Sequence, residues 1–600
     1  MSTSIRRIMV PLAGFLLIGT HVALASCLRY VGDTASDPQC TDNDIQSAIN
    51  NVDCPNSLIV ITGEHTYTVQ HLDINGKSVT LKGTDNACGL FFEPPPPTSP
   101  RIRISGAGHA GDSVLHVHGD SDVTLQYLSI ESGNNLGGYG GGIQFAGTGS
   151  LVLDTTTIKN NMADYGGGIN FTGSGGTAVL TLDAYSQIIS NSAAGSGGGI
   201  RIDGQSFLSA THDSTLIALN HAPNGYGGGL NVVGPAHADI GSPGLGVGIV
   251  YSNDAKYGGG IAITSSGDND AKVNLFTTDP LRPVRITDNS ASSSGGAIYM
   301  KGHVGTIGSF TYSKAILCAL DFRIDNNSAA EGSAIHANSD SNPTFASGSL
   351  VVLNGCTDLP SSALRCAPGV PCNTINGNDA TDGQGNATLG AAIRVDEAST
   401  FRGNRFAMQG NRGGYAIRFV GDAADAVTSN CLLTDNELSR QLLNIGSSNL
   451  DISNCTLANN AILSTDTIHA EGGLSLSDSI IDQPGNLALA YSGNADSLQV
   501  KYVLSSDIST LPAGSSVIAG APTYVDGANG DYHLQIASLG VDFAPTTEAD
   551  ARDLDNRARD VDLPSVINAF GRRDLGAYEI PRMYACNVAD SIFCDRFEVL

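Results

Sequence analysis

The residues of this chain with the greatest chemical variety follow a repeated aliphatic position that glycines precede. If each repeated aliphatic residue points inward from a strand, the next residue and the one two positions further on face outward on the same sheet. The outward set is Gln144, Asn170, Arg201, Asp203, Asn231, Tyr299, His336, Arg394, Asp396 and Arg418. Its candidate ligand-binding residues are Arg201, Asp203, Tyr299, His336, Arg394, Asp396 and Arg418. Such a row suits the binding of a glycan chain along the sheet, and an ordinary solvated sheet face is the alternative. The subset with groups for acid–base catalysis is His336, Arg394, Asp396 and Arg418.

The motif that positions this row is Gly-Gly-Gly-Ile or a close variant, which returns about every thirty residues. It ends at Ile143, Ile169, Ile200, Leu230, Ile261, Ile298, Ile335, Ile393 and Ile417. Between the motifs, apolar residues such as Leu151, Leu153 and Ile158 alternate with polar ones, which predicts short, half-buried strands. A repeat that holds about three short strands predicts one coil of a right-handed parallel β-helix, so we expect an all-β solenoid.

A second motif, an apolar residue three positions before an asparagine, recurs in the same repeats. In stacked coils these side-chain amides lie above one another and hydrogen-bond along the axis as a ladder. The predicted ladder residues are Asn161, Asn191, Asn220, Asn253, Asn289, Asn327, Asn436 and Asn460, and the motif also occurs at Asn378, Asn404 and Asn411. Because the motif spans the whole solenoid, we interpret it as structural and not as a ligand site.

The two ends of the solenoid require covers, because a parallel shaft exposes strand edges. Asp42-Asn43-Asp44 can cap a short helix with an apolar face at Ile45, Ala48, Ile49 and Val52. We therefore predict an N-terminal cap with the first coils at 26–95 and a β-helix at 96–515. Within the β-helix we predict a cysteine-rich insertion at about 340–392 that leaves the shaft. A C-terminal capping unit at 516–580 and a disulfide-containing tail at 581–600 complete the predicted organisation.

The first 25 residues have the pattern of a secretory signal peptide, with Arg6 and Arg7 before an apolar run and Ala23-Leu24-Ala25 at the cleavage site. An alternative uses Leu24-Ala25-Ser26-Cys27 as a lipobox with a lipid on Cys27. Twelve cysteines in local even sets argue against it, because lipidation would leave an odd thiol in an oxidising compartment. We predict the pairs Cys431–Cys455 and Cys586–Cys594. Pairings stay open within two sets: Cys27, Cys40, Cys54 and Cys88, and Cys318, Cys356, Cys366 and Cys372.

The charge of the chain limits its partners. The formal net charge is −27, and the basic residues do not cluster, which argues against nucleic acid as a partner. After the signal peptide no apolar run is long enough to cross a bilayer. The sequence contains no zinc-ligand spacing, calcium-roll repeat, phosphate loop or serine–histidine–carboxylate signature, so we predict neither a metal site nor a cofactor.

Several segments resemble known families. Gly-Gly-Ala-Ile with an aliphatic residue three before asparagine is similar to the repeat of the chlamydial polymorphic outer membrane proteins. Residues 113–133, SVLHVHGDSDVTLQYLSIESG, resemble the opening coils of secreted pectin-lyase-like β-helix proteins of Gram-negative bacteria. GDYHLQIASLGVDFA followed by RRDLGAYE resembles the terminal unit of choice-of-anchor Q proteins. The resemblance implies an exported β-helix but no single reaction, because this superfamily includes lyases, hydrolases, adhesins and spacers.

The sequence therefore predicts a monomeric β-helix that is secreted or displayed on the outer membrane of a Gram-negative bacterium. We expect an adhesin-like or structural role, with a polysaccharide or a cell-surface protein as partner. The alternative is an extracellular polysaccharide lyase or glycoside hydrolase. Converging aspartates and an arginine base on one sheet face distinguish a lyase, whereas an adhesin has a groove without that cluster.

Overall fold

The computed structural model describes residues 27–63, 66–89, 102–210, 214–241, 249–277, 282–304, 312–339, 348–356, 373–381, 389–421, 426–546 and 551–581. The chain is an all-β parallel β-helix, as the repeat predicts. Its main sheet contains 38 strands in this part of the chain, and a second parallel sheet contains seven. The right-handed sense that we predict for the coil is the one that parallel crossovers adopt in nearly all proteins.

Each full coil runs through four faces, which we name A to D in chain order. Face A begins with the motif residue, and its long strands bend directly into face B. The strands of faces A and B, including those that bend, are Leu28–Val31, Ser57–Thr62, Leu72–Asn75, Ser78–Thr84, Leu115–Gln126, Ile143–Asp154, Ile169–Leu182, Ile200–Ala210, Leu230–Val233, His237–Ile240, Ile261–Thr264, Ala271–Phe276, Ile298–Lys301, Ala315–Leu320, Ile335–Asn338, Leu350–Leu353, Ala391–Val395, Thr400–Gln409, Tyr415–Phe419, Ala426–Thr434, Leu443–Ile445, Leu450–Ser453, Asp466–Ala470, Leu474–Asp482, Leu487–Tyr491 and Leu498–Ser505.

Faces C and D complete the coil. Face C consists of the later parts of the strands at 400–409, 426–434, 474–482 and 498–505, together with Thr66–Tyr67, Ile102–Ser105, Leu128–Glu131, Thr157–Lys159, Gln187–Ile189, Leu216–Ala218, Ile249–Tyr251, Val284–Thr287, Phe322–Asp325, Thr374–Asn376, Thr456–Ala458 and Val517–Ala519. Face D consists of Asn134–Tyr139, Met162–Tyr165, Ser192–Ser196, His221–Tyr226, Asp254–Tyr257, Ser290–Ser294, Ser328–Glu331, Arg412–Gly413, Glu437–Leu438 and Ala461–Ile462.

The repeated aliphatic residues form the core because the coils stack in register. Ile143 lies opposite Ile169, which lies opposite Ile200, and the series continues through Leu230 and Ile261. All of these side chains are fully buried. Ring stacking adds to the aliphatic stack, since the Phe145 and Phe171 ring centroids lie 4.3 Å apart. The burial of one large aliphatic side chain contributes about 1.5–3 kcal/mol, so the core is the main source of stability.

The glycines of the motif form the sharp turn from face D to face A. Gly166 has a φ of +63°, a conformation that L side chains rarely adopt. A Cβ on Gly168 would lie 2.6 Å from the carbonyl oxygen of Gly199 in the next coil. The turn therefore requires glycine for backbone conformation at one position and for close approach between coils at another.

The asparagine ladder runs along the corner between faces C and D. The Nδ2 of Asn161 donates to the Oδ1 of Asn191 at 3.0 Å, and the same contact is repeated from coil to coil. The ladder continues through Asn220, Asn253, Asn289, Asn327, Asn378, Asn411, Asn436 and Asn460, and ends on Gln483. Asn404 carries the same motif but lies at the corner between faces B and C, where its Oδ1 accepts from Ser429 and Asn430. The prediction that the motif at Asn404 marks a position of the ladder was therefore wrong.

The N-terminal end has the predicted short helix, Ile45–Asn50. The side chain of Asp44 accepts a hydrogen bond from the Ser47 amide, and Ile45 and Ile49 are buried against the first coils. Two disulfides, Cys27–Cys54 and Cys40–Cys88, hold this end, so no thiol remains on Cys27 for a lipid.

Two further disulfides lie along the shaft. They are Cys318–Cys356 and the predicted pair Cys431–Cys455. Cys366, Cys372 and the predicted pair Cys586–Cys594 lie outside the described residues, as do 1–26 and 582–600.

The range 340–392 is not one insertion outside the shaft. Leu350–Leu353 pairs in parallel with the strands at 315–320 and 400–409, and Thr374–Asn376 pairs with Phe322–Asp325. These segments supply faces B and C of a coil, and their inward residues Val351 and Ile375 are fully buried. The prediction of an insertion was wrong because it rested on the long spacing between two motifs. Longer loops between strands lengthen a repeat but leave its strands in the coil.

The C-terminal residues form a small unit on the outer side of the last coils. It contains the antiparallel pair Tyr524–Asp526 and Asp531–Leu534 and a short 3-10 helix, Gly527–Asn529. A second 3-10 helix, Ala495–Ser497, lies in the last coils, and one antiparallel pair, His303–Val304 with Tyr312–Ser313, projects from the shaft. The apolar residues of the unit pack on outward-facing Ala407, Leu432 and Ala458. Among the described residues, no helix is long and apolar enough to cross a membrane.

Candidate functional site

The outward side chains that follow the motif lie in exact register on face A, and we call them the face A row. Asn170 lies opposite Arg201, Tyr299 opposite His336, and His336 opposite Arg394. The full row is Asp73, His116, Gln144, Asn170, Arg201, Asn231, Ala262, Tyr299, His336, Arg394, Arg418, Asn444 and His469. Asp203 lies at the next outward position, opposite Thr172, and Asp396 follows the strand that carries Arg394.

Part of this row is buried, contrary to the expectation of a solvent-facing sheet. Tyr299 and His336 are only 3% and 5% exposed, and Asn170 and Asn231 are also buried. The reason is the glycine turn, which places the end of face D beside the start of face A. Tyrosine rings of face D then cover the middle of the row.

These tyrosines form a second row, the tyrosine row, at the last position of four face D strands, and its members are Tyr139, Tyr165, Tyr226 and Tyr257. Tyr139 lies opposite Tyr165, and Tyr226 lies opposite Tyr257. The ring centroids of the two pairs are 5.3 Å and 5.1 Å apart, and Tyr257 also contacts Tyr299 at 5.1 Å. The sequence signal for this row is the tyrosine directly before the glycines in YGGGI and YGGGL.

The tyrosine row is interrupted at Ser196, and a cleft of about 260 Å³ opens there. Tyr165 and Tyr226 lie on either side of the interruption. Arg201 enters the cleft from face A, and its guanidinium carbon lies 5.6 Å from the centre of the Tyr165 ring. The remaining lining residues are Asn231, Val233, Thr264, Ser265, Lys301, Gly302 and His303.

Arg201 is held in place by its neighbours on face A. Its Nη2 lies 2.5 Å from Asp203 Oδ2, and its Nη1 donates to Asn170 Oδ1 at 3.2 Å. Two planar groups, the guanidinium and a tyrosine ring, thus meet with fixed orientation at a concave surface. Such an arrangement can accept a carboxylate or sulfate on the guanidinium and the apolar face of a sugar ring on the tyrosine.

A second cluster surrounds His336. Its Nε2 lies 2.8 Å from Asp396 Oδ2, and Arg394 binds Asp396 Oδ1 at 2.6 Å and Glu331 Oε1 at 3.0 Å. The Tyr299 ring packs edge-on against His336, and burial raises the pKa of the Tyr299 hydroxyl. The cluster brings together three of the four residues that were predicted to offer acid–base chemistry.

The electrostatics of this cluster favour a structural role. Burial raises the pKa of Asp396, but the hydrogen bonds and charges of His336 and Arg394 outweigh burial and lower it overall. A general acid needs a carboxyl group with a raised pKa, as in the acid of a glycosidase pair. The fourth residue, Arg418, lies opposite Arg394, stacks on Tyr415 at 5.2 Å and donates to the Leu389 carbonyl.

A larger cleft, of about 560 Å³, lies where the C-terminal unit meets the corner between faces B and C. Its lining includes Arg405, Arg552, Arg559, Arg573 and Asp478. Arg559 donates to the carbonyl oxygens of Gly576 and Ala577 and to Asn430, and Arg573 binds Asp560 with two hydrogen bonds. The hydrogen bond from Arg559 to Asn430 attaches the terminal unit to the shaft, and the other contacts hold the unit together around these arginines.

The carboxyl group of Asp478 in this cleft predicts a pH effect. Burial raises its pKa from 3.8 to about 6, although Arg573 and Arg559 act in the opposite direction and Asp560 adds to the rise. The folded state then binds this proton more tightly than the unfolded state, so the contribution of Asp478 to stability falls as the pH rises from about 4 to about 6. Asp478→Asn removes this loss and keeps a residue that tolerates the positive φ of this position.

We expect Asp478→Asn to unfold at about the same denaturant concentration as wild type at pH 4. At pH 7.5 the variant should be more stable by about 3 kcal/mol, because the rise in the pKa of Asp478 from 3.8 to about 6 is about two units and each unit corresponds to about 1.4 kcal/mol. Urea unfolding at the two pH values measures the difference. An advantage of equal size at both values would contradict a titrating carboxylate as its cause.

No protein-family model matches this chain, and no curated protein matches it. The structure thus supports the fold that the repeat predicts, while the family resemblances of the repeats and the terminal unit remain expectations.

Proposed function

We propose that this chain is an exported β-helix protein of the cell surface or extracellular medium that binds an acidic polysaccharide along face A. The primary contact is the cleft between Tyr165 and Tyr226. Four disulfides among the described residues suit an oxidising, extracellular environment. The rigid shaft presents the binding row, which suits an adhesin-like or structural role.

The observation that supports the proposal most strongly is the interruption of the tyrosine row at Ser196. Neighbouring coils lie about 4.8 Å apart, so the absence of one ring leaves a space about 10 Å high between Tyr165 and Tyr226. A sugar ring has two apolar faces and a polar rim, which matches tyrosines above and below and amides and hydroxyls at the sides.

The charges that line the cleft favour an acidic sugar. Arg201 and Lys301 lie at its walls, and Asp203, the carboxylate bound to Arg201, is not among the described lining residues. This lining contrasts with a chain whose net charge is −27. A linear polymer suits the site because its rings repeat along one direction, as the side chains of the face A row do.

Substitutions in the cleft should weaken binding without unfolding the protein. We expect Tyr165→Ala to weaken binding to an acidic polysaccharide at least about 10-fold, because a stacked ring contributes at least about 1.4 kcal/mol. Arg201→Gln should weaken it by a similar factor through the loss of a charged hydrogen bond. Isothermal titration calorimetry with polygalacturonate, alginate and a sulfated glycan, and with neutral dextran for comparison, measures these changes.

Matched controls are available on other faces. Tyr251 on face C is 40% exposed and Tyr165 is 39% exposed, so Tyr251→Ala removes an equally accessible ring outside the cleft. Arg412→Gln removes an arginine of an exposed ion pair with Glu437 on face D. Equal losses in the cleft and control variants, or no preference for acidic over neutral glycans, would refute the proposal.

The same mixtures test the alternative of a polysaccharide lyase or glycoside hydrolase. A lyase would release unsaturated products that absorb ultraviolet light, and a hydrolase would release new reducing ends. The assays are run both with and without added calcium. Formation of either product under either condition, but not in a boiled control, would replace the binding proposal by an enzymatic one.

A further inference from the structure

The N-terminal end of the face A row carries a concentration of histidines. Four of the 13 histidines of the chain, His71, His109, His116 and His118, lie there together with Asp73 and Asp112. They form two groups of two histidines and one aspartate, and within each group the candidate ligand atoms all lie within 4.8 Å of one another. These side chains are half-buried and belong to the outer surface of the coil, not to its core.

The first group is built on two adjacent parallel strands. His116 and His118 are two residues apart on one strand, so both project outward, and Asp73 lies opposite His116 in the preceding coil. Asp73 Oδ1 is 2.9 Å from His118 Nε2 and 3.7 Å from His116 Nδ1. The two imidazole rings stack with centroids 4.8 Å apart. Three ligand atoms thus converge on one side of a rigid sheet.

The second group lies next to the first. His71 Nε2 is 3.3 Å from Asp112 Oδ2, and the His71 and His109 rings stack with centroids 5.7 Å apart. The Nδ1 of His71 is 2.9 Å from the carbonyl oxygen of Ser113. With Nδ1 directed at a carbonyl, Nε2 is the ring nitrogen that faces the Asp112 carboxylate, and a cation bound between Nε2 and that carboxylate would contact both. Metal-binding histidines commonly donate their second ring N–H to a carbonyl in this way.

We propose that the two groups are adjacent binding sites for divalent transition-metal ions: one formed by Asp73, His116 and His118, the other by His71, His109 and Asp112. Two imidazoles and one carboxylate suit Zn²⁺ and its neighbours in the first transition series, whereas Ca²⁺ and Mg²⁺ prefer oxygen ligands throughout. Three protein ligands leave a coordination position of each ion open to water or to an anionic group.

The spacing of these residues in the sequence does not reveal the two sites, and the reason is physical. The usual zinc signatures place ligand pairs within one turn or one helix, whereas here Asp73 is separated from His118 by 45 residues. Only the stacking of one coil on the next brings them together. Because these outward side chains are not part of the hydrophobic stack, glutamine at the histidine positions is expected to preserve the fold.

The test is a zinc titration of the mature protein, purified without a polyhistidine tag and freed of metal with EDTA. We expect two zinc ions to bind per chain. His116→Gln with His118→Gln should lose one ion, His71→Gln with His109→Gln should lose the other, and all four together should lose both. The control variant is His237→Gln, which alters a histidine 2.9 Å from Asp239 on face B and should retain both ions.

Cobalt substitution gives a second measurement, because the visible spectrum of Co²⁺ reports nitrogen coordination directly. Each paired variant should lose part of that spectrum, while circular dichroism should show an unchanged β signature. An unchanged stoichiometry in a paired variant would refute the site which that variant removes. A wild-type protein without saturable zinc binding would refute both sites, and this result is independent of glycan binding.

Discussion

Replacing Asn253 by alanine is expected to lower the free energy of unfolding by about 3–5 kcal/mol, since each buried polar group left without a partner costs about 1–3 kcal/mol. The Oδ1 of Asn253 accepts from the backbone amide and the side-chain Nδ2 of Asn220, both at 3.0 Å. Its Nδ2 donates to the Ile217 carbonyl at 2.9 Å and to Asn289 Oδ1 at 3.0 Å. Asn253 is only 1% exposed, so water cannot replace these partners.

The loss should be local as well as large. Each coil of a solenoid contacts only its neighbours, so the coils that contain Asn220 and Asn253 should open first. Thermal unfolding measures the overall change, and amide hydrogen exchange should rise most in the strands Leu216–Ala218 and Ile249–Tyr251. The matched control is Asn224→Ala, which alters an exposed face D asparagine with one long hydrogen bond, at 3.4 Å, to the Ala194 carbonyl. Similar destabilisation by both variants would contradict the role of the ladder.

Replacing Arg559 by methionine is expected to release the C-terminal unit from the shaft. Arg559 is 6% exposed, and its guanidinium donates to Asn430 on the shaft and to two backbone carbonyls of the unit. Asp553 and Glu579 are buried beside it, and burial raises the pKa of both carboxyl groups. Methionine would leave the two buried carbonyl oxygens without their donor and would remove the positive charge beside Asp553, which costs about 3–5 kcal/mol.

Limited proteolysis tests this expectation, because a released unit exposes backbone at 520–581. Cleavage in this range should become much faster in Arg559→Met, while the shaft keeps its circular dichroism spectrum. The control is Arg412→Met, since Arg412 forms an exposed pair with Glu437 whose contribution is about 0–1 kcal/mol. Equal resistance of Arg559→Met and wild type to the protease would contradict the proposed attachment.

The repeat predicted the architecture because its signals act within one coil. Alternation placed Leu151 and Leu153 inside, and the positive φ of Gly166 and the close approach at Gly168 explain why glycine marks each turn. The asparagine ladder followed from the same period, since identical residues at equal positions must stack when coils are in register. The face A row was placed correctly on its strands for the same reason.

Accessibility could not be predicted in this way. The local pattern makes Tyr299 and His336 outward-facing, but their burial depends on rings that face D brings from neighbouring coils. Asn404 satisfies the ladder motif, yet the long strand Thr400–Gln409 bends at this point and puts it at another corner. The range 340–392 appeared to be an insertion because loop length obscured the coil to which its strands belong.

The amino-acid sequence alone determined the coil, its inward residues and its outward row, because each depends on short-range alternation and a repeated turn. Only the tertiary structure decided which outward groups meet, including the cleft at Tyr165 and Arg201, the cluster of Asp73 with His116 and His118, and the attachment through Arg559. Stacking or docking brings together side chains that are 36, 45 and 129 residues apart in the chain: Tyr165 with Arg201, Asp73 with His118, and Asn430 with Arg559. Loops of unequal length between coils remove any fixed spacing by which such neighbours are recognised in a sequence.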